Sequence, residues 1–251
     1  MGMIKRTPFI WALAWALAIA GTPAPALSGE AVTVVELFTS QGCNACPPAD
    51  ALLIDLADMQ ETDDLIVLGF HVNYWDYLGW ADTFADETTT DRQRAYMDPF
   101  ALRSLYTPQI IVDGVAQIPG SDRGAVMETI LAAQGNPMIA AATPKLSPQE
   151  DGLYIRLDRA PLEGEADVWI VLYDNQHDVE VLHGENAGAT LSYVNVVRRF
   201  ERLGTWDGEP VDFSLEGGVL DPAFDNCVVI VQMVGNGPIL GATLIHIPSN
   251  N

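Results

Sequence analysis

An apolar segment, Ala31–Phe38, runs through Thr39-Ser40-Gln41-Gly42 into Cys43-Asn44-Ala45-Cys46 and Pro47-Pro48. Leu52, Leu53, Leu56 and Met59 then recur at helical spacing. A strand, a glycine, two cysteines three apart and a helix start leave few arrangements for this part of the chain. The spacing lets two sulfurs from one turn close a small ring. Free N–H groups at a helix start favour a thiolate on the first sulfur, Cys43, and a thiolate is the species that attacks a disulfide. Cys46, one turn in, is read as the resolving thiol. Pro47 and Pro48 are tolerable in a first turn, where N–H groups have few helical partners. A zinc site built on the same pair needs two further ligands, often a second pair, and none follows. A purely structural disulfide is the other alternative.

Around this junction the elements alternate. Leu65–Val72 is a nearly continuous apolar run, the pattern of a strand covered on both faces. Thr90–Leu105 reads as helical, interrupted at Asp98-Pro99. Gln109–Asp113 and Val115–Ile118 read as a hairpin turning at Asp113-Gly114. A helix follows, capped by Ser121 and ending at Gly135. The order is β-α-β-α-β-β-α, with the first two strands parallel. Beyond Asn136 the helical signals fade. Short strands separated by turn residues, among them Val168–Tyr173, Val179–Leu182, Leu191–Phe200 and Cys227–Val234, predict a sandwich-like unit.

The first residues carry Lys5 and Arg6, an apolar run from Phe9 to Ala20, then Gly21, Pro23, Pro25 and Ser28. This reads as a secretory signal peptide over 1–28; its apolar core is short for a membrane span. The chain is expected to be secreted or periplasmic, with no stable membrane insertion once the leader is removed. The formal net charge is −22, and Lys145 is the only lysine outside the leader. That argues against nucleic acid, whose phosphates need Lys and Arg. Three cysteines are too few for a disulfide scaffold. Cys227, within an apolar run, is read as a buried, inert thiol.

A second signal is Tyr106-Thr107-Pro108, just ahead of the strand at Gln109. Pro108 at a strand start keeps its missing N–H out of the ladder, and a cis bond there would bring backbone groups toward the sulfurs. With Leu65–Val72 parallel to the first strand and Gln109–Asp113 antiparallel, Cys43, His71 and Pro108 should converge on one sheet edge. His71 can tune a thiolate or relay a proton. Tyr74, Trp75, Tyr77 and Trp80 either offer anchors to a partner or cover the sheet edge. Asn195, Arg198 and Arg199 stand out in an acidic chain and are read as pins between the two halves.

Glycine with Cys-x-x-Cys at a helix start, and Thr-Pro before a hairpin, resembles the thioredoxin superfamily. More narrowly, Val35–Cys43 with Cys46-Pro47-Pro48-Ala49-Asp50, His71–Trp80, Tyr106–Gln109 and Gly184-Glu185-Asn186 with Leu191–Arg198 resemble a secreted bacterial family catalogued as domain of unknown function 1223. The resemblance implies an α/β thioredoxin-like domain, 29–136, followed by a β-rich, sandwich-like domain, 137–251; it implies no established activity. The expected function is thiol–disulfide exchange, with the chain a thiol–disulfide oxidoreductase if it is an enzyme. Cys43 would be the nucleophile, Cys46 the resolving thiol and Pro108 the positioning residue, with His71, Thr107 and Trp75 as modulators. No cofactor is expected, and the partner would be a protein or small-molecule thiol or disulfide. Two alternatives stand beside it: a copper-handling protein using Cys43, Cys46 and His71, since soft thiolates with an imidazole suit copper, or a non-catalytic binding module.

Overall fold

The computed structural model describes residues 32–60, 64–134, 142–149, 152–217 and 220–247. The leader, the helix end at Gly135 and the boundary at 136–137 lie outside the described residues. The first half contains β1 (Thr33–Thr39), α1 (Pro47–Met59), β2 (Leu65–His71), a 3-10 turn at Asp76–Leu78, α2 (Glu87–Ala95), β3 (Gln109–Val112), β4 (Ala116–Pro119) and α3 (Arg123–Ala133). The second half is all strands: β5 (Lys145–Gln149), β6 (Gly152–Leu157), β7 (Ala166–Glu180), β8 (Thr190–Trp206), β9 (Val211–Glu216), β10 (Asn226–Met233) and β11 (Ile239–His246).

The expected architecture of a thioredoxin-like domain followed by a separate sandwich is not what these elements build. Eight strands form one mixed sheet in the order β11-β10-β7-β8-β2-β1-β3-β4, and β5-β6-β9 form a small second sheet. The fold is mostly β, with three α-helices among the described residues. The seam is β2 beside β8, parallel, with Gly69 paired to Val196. A Cβ on Gly69 would stand 3.2 Å from the Val194 carbonyl oxygen, so the glycine allows the close approach of β8. The physical reason for the difference lies in β2. All its residues are buried, and its outer edge needs hydrogen-bond partners. An apolar run announces coverage but does not say which strand pairs with it.

Side chains alternate across this sheet. Val34 and Phe38 join Leu68, Phe70, Tyr96, Tyr173, Val197 and Ile230 in one apolar cluster that spans both halves. Val35 and Leu37 face α1 and α3 with Leu53, Leu56, Val67 and Val126. The small sheet buries Leu153, Ile155 and Leu157 against Val168, Leu172 and Val229.

Polar links cross the seam as well. Arg92 of α2 meets Glu36 of β1 in a buried bidentate pair, Nε–Oε1 at 2.9 Å and Nη2–Oε2 at 3.1 Å. Its Nη1 donates to Gln232 of β10 at 2.7 Å and to Asn236 at 2.8 Å. Of the three residues expected to pin the halves, Asn195 does so directly, donating to the Val67 carbonyl at 2.9 Å. Arg198 pairs with Asp174 inside the second half and lies over the Phe84 ring. Arg199 makes only a local pair with Glu201.

Local departures from the sequence reading follow capping chemistry. α2 starts at Glu87 because Asp86 accepts from the Thr89 N–H in a capping box, and it ends before Asp98-Pro99. Asp122, not Ser121, caps α3. Among the described residues no helix is long and apolar enough to cross a membrane.

Candidate functional site

Cys43 and Cys46 are joined in a disulfide with their Cα atoms 5.4 Å apart. Two successive turns carry the chain from β1 into α1: Cys43 N–H donates to the Ser40 carbonyl and Cys46 N–H to the Cys43 carbonyl. The helix begins at Pro47, with Cys46 at the N-cap. Cys46 therefore sits at the helix boundary and Cys43 three residues ahead of it. The first two helical positions are prolines without N–H groups, so the helix start offers Cys43 less than the sequence reading supposes.

β3 runs antiparallel to β1 with Gln109 opposite Phe38, which sets Pro108 beside the Thr39 end of β1, where the cysteines follow. The Thr107–Pro108 bond is cis. The Pro108 carbonyl accepts from Gly120 N–H at 2.9 Å. Trp75 Nε1 donates to Thr107 Oγ1 at 2.7 Å. A Cβ on Gly42 would meet Trp75 Cβ at 3.0 Å, so Trp75 links the cysteine turn to the Thr-Pro turn through that glycine.

The sulfurs are enclosed. Cys43 is 1% exposed and Cys46 0%, although Asn44 and Ala45 between them are exposed. The tip of the β7–β8 hairpin is fastened to this segment. Asn186 Nδ2 donates to the carbonyls of Gln41 at 2.9 Å and Cys43 at 3.0 Å. Gln41 in turn accepts from Trp80 Nε1 at 2.8 Å, and Trp80 lies against His183 and Gly184 of the tip. Tyr74 and Trp75 pack on the core. Of the four aromatic residues between His71 and Trp80, three thus cover the edge, and Tyr77, 78% exposed, projects from it.

A buried ionisable cluster lies on the α1 face. Thr39 and His71 are register partners on β1 and β2. Thr39 Oγ1 donates to Asp50 Oδ1 at 2.6 Å, and Asp50 lies one turn past Cys46. Burial pushes the Asp50 carboxyl up to about 7, against the opposing pull of Thr39 and His71. His71 Nδ1 stands 2.9 Å from Asp82 Oδ2. That nitrogen carries the shared hydrogen, since an ionised carboxylate only accepts. Burial opposes ionisation of Asp82, but His71 and the N–H groups of Gln41 and Phe84 outweigh it and hold this carboxyl below its ordinary range. Tyr193 of β8 packs edge-on to His71.

The structure thus sets Cys43, Cys46, Pro108, Thr107 and Trp75 around one turn. His71 reaches that turn through Asp82 and Gln41. Among the described residues no group of three or more His, Cys, Asp or Glu side chains is arranged to hold a metal ion. The set Cys43, Cys46 and His71 is not such a group: the sulfurs are bonded to each other, and His71 Nδ1 is directed at Asp82. In the sequence, Asp50 and Asn186 stand out only as members of the stretches that carry the family resemblance, and Asp82 not at all. Asp50 carried a readable signal, an acid at the i+4 position from Cys46 within the stripe that Leu53 continues. Asp82 and Asn186 reach the site over long sequence separations that no local spacing marks. Cys227 is buried, and its thiol is pushed up to about 12 by burial.

A crystal structure of an Agrobacterium tumefaciens protein is similar over 89% of this chain and 98% of its own, with 30% sequence identity and a TM-score of 0.75. HBP35 of Porphyromonas gingivalis shares the fold at 14% identity, over 87% of this chain and 76% of its own, with a TM-score of 0.57. Comparison with curated proteins gives no match. A family model described as protein of unknown function, DUF1223, matches residues 34–232, and the chain belongs to that family.

Proposed function

We propose that the chain carries out thiol–disulfide exchange at Cys43–Cys46, with protein or small-molecule thiols and disulfides as partners. The observation that carries this reading is the disulfide between the two cysteines, formed at a strand–helix junction on the sheet edge where β3 begins. In the oxidising direction a partner thiolate attacks Cys43 Sγ and the Cys43–Cys46 bond breaks. Cys46 leaves and takes up a proton. A second partner thiolate then attacks the partner sulfur of the mixed disulfide and expels Cys43, so the partner is oxidised and the pair reduced. The reverse sequence reduces a partner disulfide; the reduction potential selects the direction. The leader-like start of the chain supports placing the exchange in the periplasm or outside the cell, where disulfides persist. Trp75 and Thr107 frame the turn, and Pro108, its carbonyl held by Gly120 N–H, is the positioning residue beside it.

The test incubates the reduced protein with glutathione disulfide and maps mixed disulfides by mass spectrometry. Cys46→Ser should trap glutathione on Cys43, Cys43→Ser should abolish exchange, and Cys227 should stay unmodified until the protein is unfolded. A Cys43–Cys46 bond that resists excess glutathione in the folded wild type would refute the reading.

A further inference from the structure

We propose that the second half of the chain carries a binding site for an apolar organic cation, in a cleft at one end of the large sheet. Four strand ends meet there. Ala166 opens β7 opposite Trp206, which closes β8, and opposite Met233, which closes β10; Ile239 opens β11 beside them. Beyond these ends the chain forms two walls, the connection 158–165 and the β10–β11 turn at 234–238. Backbone hydrogen bonds hold both walls in place. Val234 N–H donates to the Glu165 carbonyl at 3.1 Å, Met233 N–H to the Pro238 carbonyl at 2.9 Å and Ala160 N–H to the Gly208 carbonyl at 3.1 Å. The cleft between them is about 760 Å³, with Leu162, Val234, Pro238, Leu240 and Trp206 on its sides. That volume falls in the range of about 300–1,000 Å³ usual for small-molecule sites. Trp206 and Leu240 continue into the apolar cluster beneath the small sheet, so the floor is fixed by the core.

Charge names the occupant. Among the described residues the walls carry one ionisable side chain, Glu163. Its carboxylate has no partner among those residues, and neither has that of Glu165, two positions on. The arginines nearest in sequence are already taken, Arg159 by Glu209 and Arg202 by Asp167. The Trp206 indole N–H donates to the Glu209 carbonyl at 2.7 Å, so the ring meets the cleft as apolar surface. A hydrocarbon body entering here releases water from apolar sides, and a positive charge on that body meets Glu163. An anion of the same shape meets the unpaired carboxylate and a chain of net charge −22. A small hydrated cation gains only a surface ion pair, which contributes little. None of these walls comes from the cysteine turn, so the proposal stands apart from the exchange reading.

The test titrates the protein by calorimetry with tetraphenylphosphonium and tetraphenylborate, two ions of nearly the same shape and opposite charge. Tetraphenylphosphonium should bind once per chain with a Kd on the order of 10 μM, as expected for a ligand of this size. Tetraphenylborate, and the small cation tetramethylammonium, should bind about tenfold more weakly or not at all. Glu163→Gln should weaken the phosphonium by about two- to fivefold, which is what an exposed ion pair supplies. Val234, 52% exposed, tolerates a charged side chain. Val234→Arg sets a cation on the wall and should weaken the phosphonium further, whereas Val234→Glu should not weaken it. Glu180→Gln, at the far end of β7, should leave its affinity unchanged. Circular dichroism verifies that each variant folds. Absence of binding, equal affinity for the two tetraphenyl ions, or phosphonium binding unchanged in both Glu163→Gln and Val234→Arg overturns the proposal. Analytical ultracentrifugation covers the competing occupant: a dimer that Val234→Arg dissociates assigns the cleft to a second copy of the chain and overturns the proposal as well.

Discussion

Asn186→Ala should speed reduction of the Cys43–Cys46 disulfide. The side chain it removes donates two neutral hydrogen bonds, to the Gln41 and Cys43 carbonyls. Each such bond contributes about 0.5–1.5 kcal/mol net. Losing both makes release of the β7–β8 tip easier by about 1–3 kcal/mol, and the released population rises by about 5- to 150-fold. Because Cys43 is almost fully enclosed, a reductant reaches it through that population. When opening and closing outpace the chemistry, the observed rate scales with the open fraction. The assay mixes oxidised protein with a water-soluble phosphine, quenches with acid at intervals and counts free thiols by alkylation and mass spectrometry. Low denaturant should hardly change the rate, since freeing a hairpin tip exposes little surface, whereas access by global unfolding would make it steeply denaturant-dependent. Asn186→Asp should behave like the alanine variant or exceed it, because an ionised carboxylate cannot donate and would face two carbonyls. A reduction rate for Asn186→Ala within about twofold of wild type, below the 5-fold floor set by two lost bonds, would refute the idea that the tip controls access.

Two further outcomes follow from buried charge. Arg92→Met leaves Glu36 buried without its cation and should cost about 3–5 kcal/mol in denaturant unfolding; adding Glu36→Gln should recover much of that, and a single-variant loss below about 1 kcal/mol would mean water reaches the pair. Asp113 has its carboxyl pushed up to about 7 by burial, against the Val34 N–H that bonds it. The folded state therefore binds a proton that the unfolded state has released between about pH 4 and 7, and this contribution to stability is lost as pH rises through 7. Asp113→Asn should flatten that decline in thermal melts from pH 5 to 8, and an unchanged slope would count against the assignment.

Much of the site was legible because it is local. Gly42, the two cysteines and Pro47-Pro48 lie within one short stretch, and spacing alone brings Cys43 and Cys46 into bonding range. Pro108 and His71 were placed by counting strand directions, and the β1 registers with β2 and β3 agree with that count. The architecture was not legible in the same way. Alternation and apolar runs state that β2, β8 and β10 are covered, but any strand edge can satisfy another's N–H and C=O groups, so pairing across the halves leaves no local mark. The parallel contact of β8 with β2 was decided by the whole packing: Gly69 admitting the β8 backbone, Asn195 reaching Val67, and Arg92, paired with Glu36, reaching Gln232 across 140 residues of sequence. The same contact carries the β7–β8 tip to Cys43 and Tyr193 to the Asp50 cluster. The sequence by itself determined where two sulfurs meet; only the tertiary structure decided what encloses them and which buried acid stands beside them, because burial and long-range hydrogen bonding belong to the assembled sheet and not to any one segment.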